Sequence, residues 1–208
     1  MVSRERNRMF LLLTTARESP AAIVVRFLTR RYLVEYEHGI DNRYSQELLV
    51  DNEPVVFDIL DTSCNLSQTA ANFDSSHFSS CDVLLLVYSI TDRQSFSFVR
   101  NLLRHLAQLK NGLSLSCHPP PLVAILGNKA DLVHLRQVSS EEGEILCTEY
   151  SELTTMFLGE VSAADQMIGH LFVDLFKWLK RTRGQLKSQS LLDRVVIGIK
   201  GSTSGNGF

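Results

Sequence analysis

Three runs of strand length dominated by apolar residues, Asp82 to Ser89, Pro121 to Gly127 and Thr155 to Val161, alternate with stretches of helical periodicity. After the first run, Asp92 to Leu109 carries Phe96, Val99, Leu102, Leu103, Leu106 and Leu109 on one face. After the second, Ser139 to Tyr150 opens with S-S-E-E, a helix start. After the third, Ala164 to Arg183 places Ile168, Leu171, Phe172, Leu175, Phe176 and Leu179 on one stripe, with Trp178 beside it as packing. Strands without polar alternation are buried on both faces, and strands that alternate with helices build a mostly parallel sheet. The expectation is an α/β fold with helices on both faces of the sheet.

The first third of the chain adds to that frame. Met9 to Leu13 reads as a short buried strand. Ser19 as N-cap and Pro20 at the first helical position open a helix whose apolar face is Ile23, Val24, Phe27 and Leu28. Glu47 to Asp51 and Pro54 to Asp61 read as strands joined by a hairpin turn at Asp51-Asn52-Glu53. One domain over residues 1–183 is expected, with residues 184–208 as a flexible tail. Five of the eleven glycines lie beyond residue 183, and the first is Gly39.

Composition matters mainly for what it removes. With 44% hydrophobic and 21% charged residues and a net charge of −2, the chain is neither disordered nor drawn electrostatically to nucleic acid. Cys64, Cys81, Cys117 and Cys147 have neither zinc-ribbon nor redox spacing. Nothing approaches the roughly 18 consecutive apolar residues of a membrane span. Met1-Val2 offers no myristoylation start and Gly207-Phe208 no prenylated cysteine. A monomeric cytoplasmic protein without a stable membrane anchor is expected. The cluster Lys177, Lys180, Arg181, Arg183 and Lys187 reads as the solvated end of the last helix.

Ligands of parallel sheets sit at the carboxyl ends of the strands. There, Gly127-Asn128-Lys129-Ala130-Asp131 follows one strand and Glu160-Val161-Ser162-Ala163 the next. A carboxylate at Asp131 can accept two hydrogen bonds from the N1–H and exocyclic amine of guanine, a pattern adenine does not offer. Asn128 braces the loop, and the Lys129 stem can lie over the ring. The backbone after the second strand can meet the guanine carbonyl. An earlier strand ends in Asp58-Ile59-Leu60-Asp61-Thr62, where a carboxylate, Asp61, can organise Mg²⁺ beside a nucleotide phosphate.

With these motifs in this order, residues 9 to 183 resemble the Ras superfamily of small GTPases. Val25 to Tyr32, followed by Glu35-Tyr36, looks like its first helix and effector loop. Val87-Tyr88-Ser89-Ile90-Thr91-Asp92 and Gly127 to Leu132 are most similar to the branch of the Ras-related estrogen-regulated growth inhibitor. The resemblance implies a P-loop NTPase-like, Ras-type six-stranded sheet, GTP/GDP and Mg²⁺ as cofactors, and slow GTP hydrolysis. It implies a guanine pocket of Tyr32, Asn128, Lys129, Asp131, Ser162 and Ala163. It also implies that protein effectors and regulators act through residues of about 34–45 and 61–78.

The phosphate end departs from the family. The pattern G-x-x-x-x-G-K-[ST], whose glycine backbone wraps phosphate while its lysine neutralises it, is replaced by Thr14-Thr15-Ala16-Arg17-Glu18-Ser19-Pro20-Ala21. Pro20 stands in the lysine position, Ala21 in the Mg²⁺-binding hydroxyl position, and Glu18 adds a negative charge. Gly39 stands where the family has its Mg²⁺-binding threonine. Cys64-Asn65 stand where it has glycine and the water-orienting glutamine, so Asn65 is the nearest candidate for a catalytic residue. The match begins at about Ala22-Ile23, as an alternative start or exon for residues 1–20 would produce. Two readings follow from the sequence: a GTPase switch with impaired phosphate binding and hydrolysis, and a nucleotide-independent pseudo-GTPase that binds signalling partners.

Overall fold

The structure, a computed structural model, describes residues 6–15, 42–64, 80–112, 120–162, 168 and 170–185, with Ile23, Val24 and Phe27. Its strands are β1 (Arg6–Thr15), β2 (Asn42–Val50), β3 (Glu53–Cys64), β4 (Val83–Ser89), β5 (Leu122–Asn128) and β6 (Thr155–Glu160). They form a six-stranded sheet in the order β2-β3-β1-β4-β5-β6. Only β2 runs antiparallel to its neighbour; the other pairings are parallel. Helices α1 (Arg93–Gly112) and α2 (Ser140–Glu149) follow β4 and β5. A third, α3, includes residues 170–185, and Ile23, Val24 and Phe27 are also helical. The expected Ras-type architecture is therefore present.

The strand period of two divides the core. Phe10 and Leu12 of β1, Phe57 and Ile59 of β3, and Val83, Leu85 and Val87 of β4 face one side. There they meet Ile23, Val24 and Phe27, and Phe172, Leu175, Phe176 and Leu179 of α3, with Trp178 packed at the margin. Leu11, Leu84, Leu86 and Tyr88 face the other side, against Phe96, Val99, Leu102, Leu103 and Leu106 of α1 and Leu146 of α2. Every residue of β4 and β5 is buried, as continuous apolar runs require. Phe57 lies at the centre of an aromatic group, 5.4 Å from Phe10, 5.9 Å from Phe27 and 5.8 Å from Phe176 between ring centroids.

Some boundaries differ from the sequence expectation. β2 begins at Asn42 instead of Glu47, because its ladder with β3 continues to Asn42 opposite Asp61. In N-R-Y-S-Q the exposed Arg43 and Ser45 alternate with half-buried Tyr44 and Gln46. Polar side chains hide that alternation from a hydrophobicity reading. The hairpin turn is two residues, Asp51 (φ 52°) and Asn52 (φ 65°), both left-handed as a type I′ turn demands. Gly184 and Gln185, expected in the tail, continue α3; residues 186–208 lie outside the described residues.

The basic end of α3 is less solvated than its composition suggests. Lys177 pairs with Asp51 at 3.5 Å and Lys180 with Glu53 at 2.9 Å, both from the β2–β3 hairpin. Arg183 donates to Asp82 at 2.5 Å, and the same carboxylate accepts from Arg8 (3.5 Å) and the Met9 N–H (3.0 Å). Asp82 thus ties the start of β1 to the end of α3. No helix among the described residues is long and apolar enough to cross a membrane.

Gly143 of α2 shows how tightly this helix lies on the sheet. A Cβ there would stand 2.6 Å from the Phe157 ring and 3.0 Å from the Tyr88 hydroxyl. Gly143→Ala is therefore expected to destabilise the fold by about 1–3 kcal/mol, the usual effect of overpacking, despite alanine's better helix propensity. Urea unfolding measures it; unchanged or raised stability would show that α2 can move away from β6.

Candidate functional site

The carboxyl ends of β1, β3, β4, β5 and β6 lie along one rim of the sheet. Asn128, the last residue of β5, is only 3% exposed. Its carbonyl accepts the Ile90 N–H at 3.0 Å, which joins the end of β5 to the end of β4. Its side-chain Oδ1 accepts the Lys129 N–H at 2.8 Å. Lys129 itself turns the chain in the left-handed region, φ 66° and ψ 36°. Its carbonyl accepts the Leu132 N–H at 2.9 Å to start the 3₁₀ turn Ala130–Leu135. Asn128 thus satisfies the backbone of a turn that a lysine would otherwise resist. Asp131, in the first turn after it, is exposed.

Two backbone hydrogen bonds hold this loop to the one after β6. The Ala130 N–H donates to Val161 O at 3.0 Å and the Val161 N–H to Gly127 O at 2.8 Å. The Val161 N–H is therefore not a donor for a guanine carbonyl. Ser162 is half-buried beside it, whereas Ala163 lies outside the described residues. Gly127 permits the close approach: a Cβ there would be 3.0 Å from Glu160 Cγ and 3.2 Å from the Tyr88 hydroxyl.

Sequence reasoning missed the strongest polar contact behind these loops. Arg136 grips Glu160 with both terminal nitrogens, each at 2.6 Å, and also donates to Val138 O at 2.9 Å. The Ser140 hydroxyl donates to the same Glu160 at 3.0 Å. The Arg136 hydrogen bonds hold Glu160 below the usual carboxylate range; burial opposes them and Ser140 assists. Arg136 and Glu160 are 24 positions apart, so no local spacing announces the pair. Ser140 belongs to α2, whose start is a full capping box: Ser139 accepts the Glu142 N–H, and Glu142 reaches back to the Ser139 N–H. One fork thereby links the Asn128 loop, the α2 start and the end of β6.

At the phosphate end, Asp61 is 3% exposed in β3, opposite Leu12 of β1 and Asn42 of β2. The neighbouring Thr62 hydroxyl donates to Leu12 O at 3.4 Å. β1 does not stop at Leu13: the ladder continues through Thr14 opposite Ser63 to Thr15 opposite Cys64. Residues 16–21, Tyr32, Gly39 and Asn65 lie outside the described residues, as do most of 34–45 and 61–78. The thiols of Cys81 and Cys147 are pushed up, chiefly by burial, to about 12 and about 11, which leaves both as unreactive packing groups.

Comparison with known proteins agrees with this arrangement. The family model of the Ras family matches residues 19–181. The "Ras-related and estrogen-regulated growth inhibitor" of Bos taurus is 34% identical over 163 residues, covering 78% of this chain and 76% of that protein. The Homo sapiens protein of the same name matches to the same extent, 34% over 163 residues. "Ras-like protein family member 11A" of Mus musculus is 32% identical over 189 residues, 84% of this chain and 72% of its own length. Fold, strand order, loop geometry and sequence therefore converge, and the chain belongs to the Ras family.

Proposed function

We propose that this chain is a Ras-like signalling protein that recognises guanine through Asn128, Lys129, Asp131, Ser162 and Ala163, with Tyr32 against the base, and that handles phosphate and GTP hydrolysis poorly. The observation that carries the reading is the Asn128-centred turn, fastened to the loop after β6 by the Ala130–Val161 and Val161–Gly127 hydrogen bonds. A base pocket discriminates when its polar groups are preorganised, because a wrong base then leaves them unpaired. Residues 1–183 act as one G domain, cytoplasmic and monomeric, that meets effectors and regulators through about 34–45 and 61–78. Bound GTP would supply the phosphoryl group and Mg²⁺ the charge neutralisation that hydrolysis needs. Toward these groups the chain offers Asp61 and Asn65, without the lysine, serine, threonine and glutamine of the family pattern.

Native purification followed by identification of released nucleotide tests this directly. Thermal stabilisation by guanine compounds and not by ATP is expected, with hydrolysis slow or absent. Asp131→Asn is expected to abolish the preference for guanine, because its amide presents a donor where the carboxylate accepts two hydrogen bonds. The loss in guanine affinity should be on the order of 10²-fold or more, given about 1.5–3 kcal/mol for each charge-assisted hydrogen bond. An unchanged preference would show that the base lies elsewhere. The nucleotide-independent binding module is the second reading, favoured by the β1–β3 ladder that continues to Thr15 and Cys64. Partner binding that ignores added guanine nucleotide would select it.

A further inference from the structure

We infer that Arg136 and Glu160 are the positioning pair of the base site: by gripping the residue that ends β6, Arg136 sets the distance and tilt at which the loops after β5 and β6 face one ligand. The inference rests on the guanine reading above and deepens it by naming what holds the two loops in place. Neither residue belongs to the set proposed to touch the base. Their effect passes through Gly127, Asn128 and Val161.

Hydrogen bonds close a ring through these segments. The Arg136 guanidinium donates to both Glu160 oxygens at 2.6 Å. Val161 comes next, its N–H donating to Gly127 O at 2.8 Å and its carbonyl accepting the Ala130 N–H at 3.0 Å. The Asn128 carbonyl, between those two, accepts the Ile90 N–H at 3.0 Å. The Ile90 carbonyl in turn accepts the N–H groups of Gln137 (2.8 Å) and Val138 (3.1 Å), the two residues after Arg136. Every hydrogen bond of this ring except the fork joins backbone groups. The fork is thus the member that depends on side-chain identity.

Packing gives the fork a direct hold on the turn. A Cβ on Gly127 would stand 3.0 Å from Glu160 Cγ, so the glutamate stem lies on the residue that precedes Asn128. The Ser140 hydroxyl donates to Glu160 at 3.0 Å, and Arg136 reaches Val138 O at 2.9 Å, which fixes both ends of the pair. A planar guanidinium that meets both carboxylate oxygens sets orientation as well as distance, which a lysine ammonium cannot do. Polar groups aimed at a base discriminate only while their spacing is held. Loss of the fork therefore weakens binding without removing any group that touches the ligand.

The test compares wild type with Arg136→Lys, Glu160→Gln and the double variant, each as the full chain at a temperature where it is fully folded. GDP, with ADP as control, is titrated and followed by amide NMR, and amide hydrogen exchange is read in the same samples. Each single variant is expected to weaken GDP binding on the order of 10-fold, the low end of what loss of an orienting outer contact costs at metal sites. The double variant should lose no more than the worse single one, because both substitutions break the same contact. Exchange at the Ala130 and Val161 amides should speed up by roughly 10-fold, with a smaller change at Leu85 and Ala124 in the buried centre of the sheet. Unchanged GDP affinity, or exchange that speeds up at Leu85 and Ala124 as much as at the loop amides, would overturn the inference and leave the guanine reading standing. Wild-type protein that binds GDP no better than ADP would overturn both.

Discussion

Rebuilding the phosphate loop by Thr14→Gly, Glu18→Ala, Ser19→Gly, Pro20→Lys and Ala21→Ser is expected to raise affinity for GDP by roughly 10³-fold and to make it depend on Mg²⁺. Charge-assisted hydrogen bonds contribute about 1.5–3 kcal/mol each, so the three or four contacts returned by the lysine, the hydroxyl and the loop N–H groups suffice even after discounting for non-additivity. Thr14→Gly acts first on the fold. Glycine weakens a strand interior and frees the backbone to leave the ladder with Ser63 and Val87. Pro20→Lys returns a positive charge and a backbone donor at one position. Fluorescent GDP binding with and without Mg²⁺ measures the outcome. Affinity unchanged by all five substitutions would place the obstacle outside residues 14–21, with Gly39 the next candidate. Hydrolysis should stay slow in this variant, because Gly39 and Asn65 are untouched.

Arg136→Met is expected to destabilise the protein by about 2–3 kcal/mol, between the small effect of an exposed ion pair and the 3–5 kcal/mol of a fully buried one. The side chains of Arg136 and Glu160 are 26% and 13% exposed, which sets that intermediate position. Methionine preserves much of the stem packing but leaves the Glu160 carboxylate with Ser140 as its remaining donor among these contacts. The pH dependence gives an independent readout. Arg136 holds Glu160 below the unfolded carboxylate value of about 4.3, so the pair's stabilisation is fully present above that pH. It is lost as pH falls through the lower, folded value. Urea unfolding should therefore show the wild-type protein losing stability below about pH 4 more steeply than Arg136→Met. Parallel curves would mean that the fork contributes no linkage. The double variant Arg136→Met with Glu160→Gln should recover part of the loss, since no unpaired charge remains.

The elements most legible in the sequence were those whose burial is complete. β4 and β5 are buried throughout, so their apolar runs could not be misread. α1 and α3 each turn one stripe to the sheet, and the stripes were visible as spacing. The start of β2 was not legible, because Arg43 to Gln46 lie on an edge strand where polar residues serve both faces. The extension of β1 to Thr15 was equally hidden. Two threonines favour a strand and also suit a loop, and the pairing with Ser63 and Cys64 decided the matter.

The site divides along the same line. Asn128, Lys129 and Asp131 are neighbours in the chain, and the type and order of those residues already specify a carboxylate and an amide after a buried strand. The sequence alone also determined that glycine and lysine are missing from residues 14–21 and a hydroxyl from position 21, since an absent side chain is absent in any fold. Tertiary structure decided what lies between distant segments. The Arg136–Glu160 fork, the Val161 N–H taken by Gly127, and the rungs from Thr14 to Ser63 and from Thr15 to Cys64 join residues 24, 34 and 49 positions apart. Local propensity acts over a few residues, whereas strand register and buried ion pairs are set by which surfaces the sheet brings together.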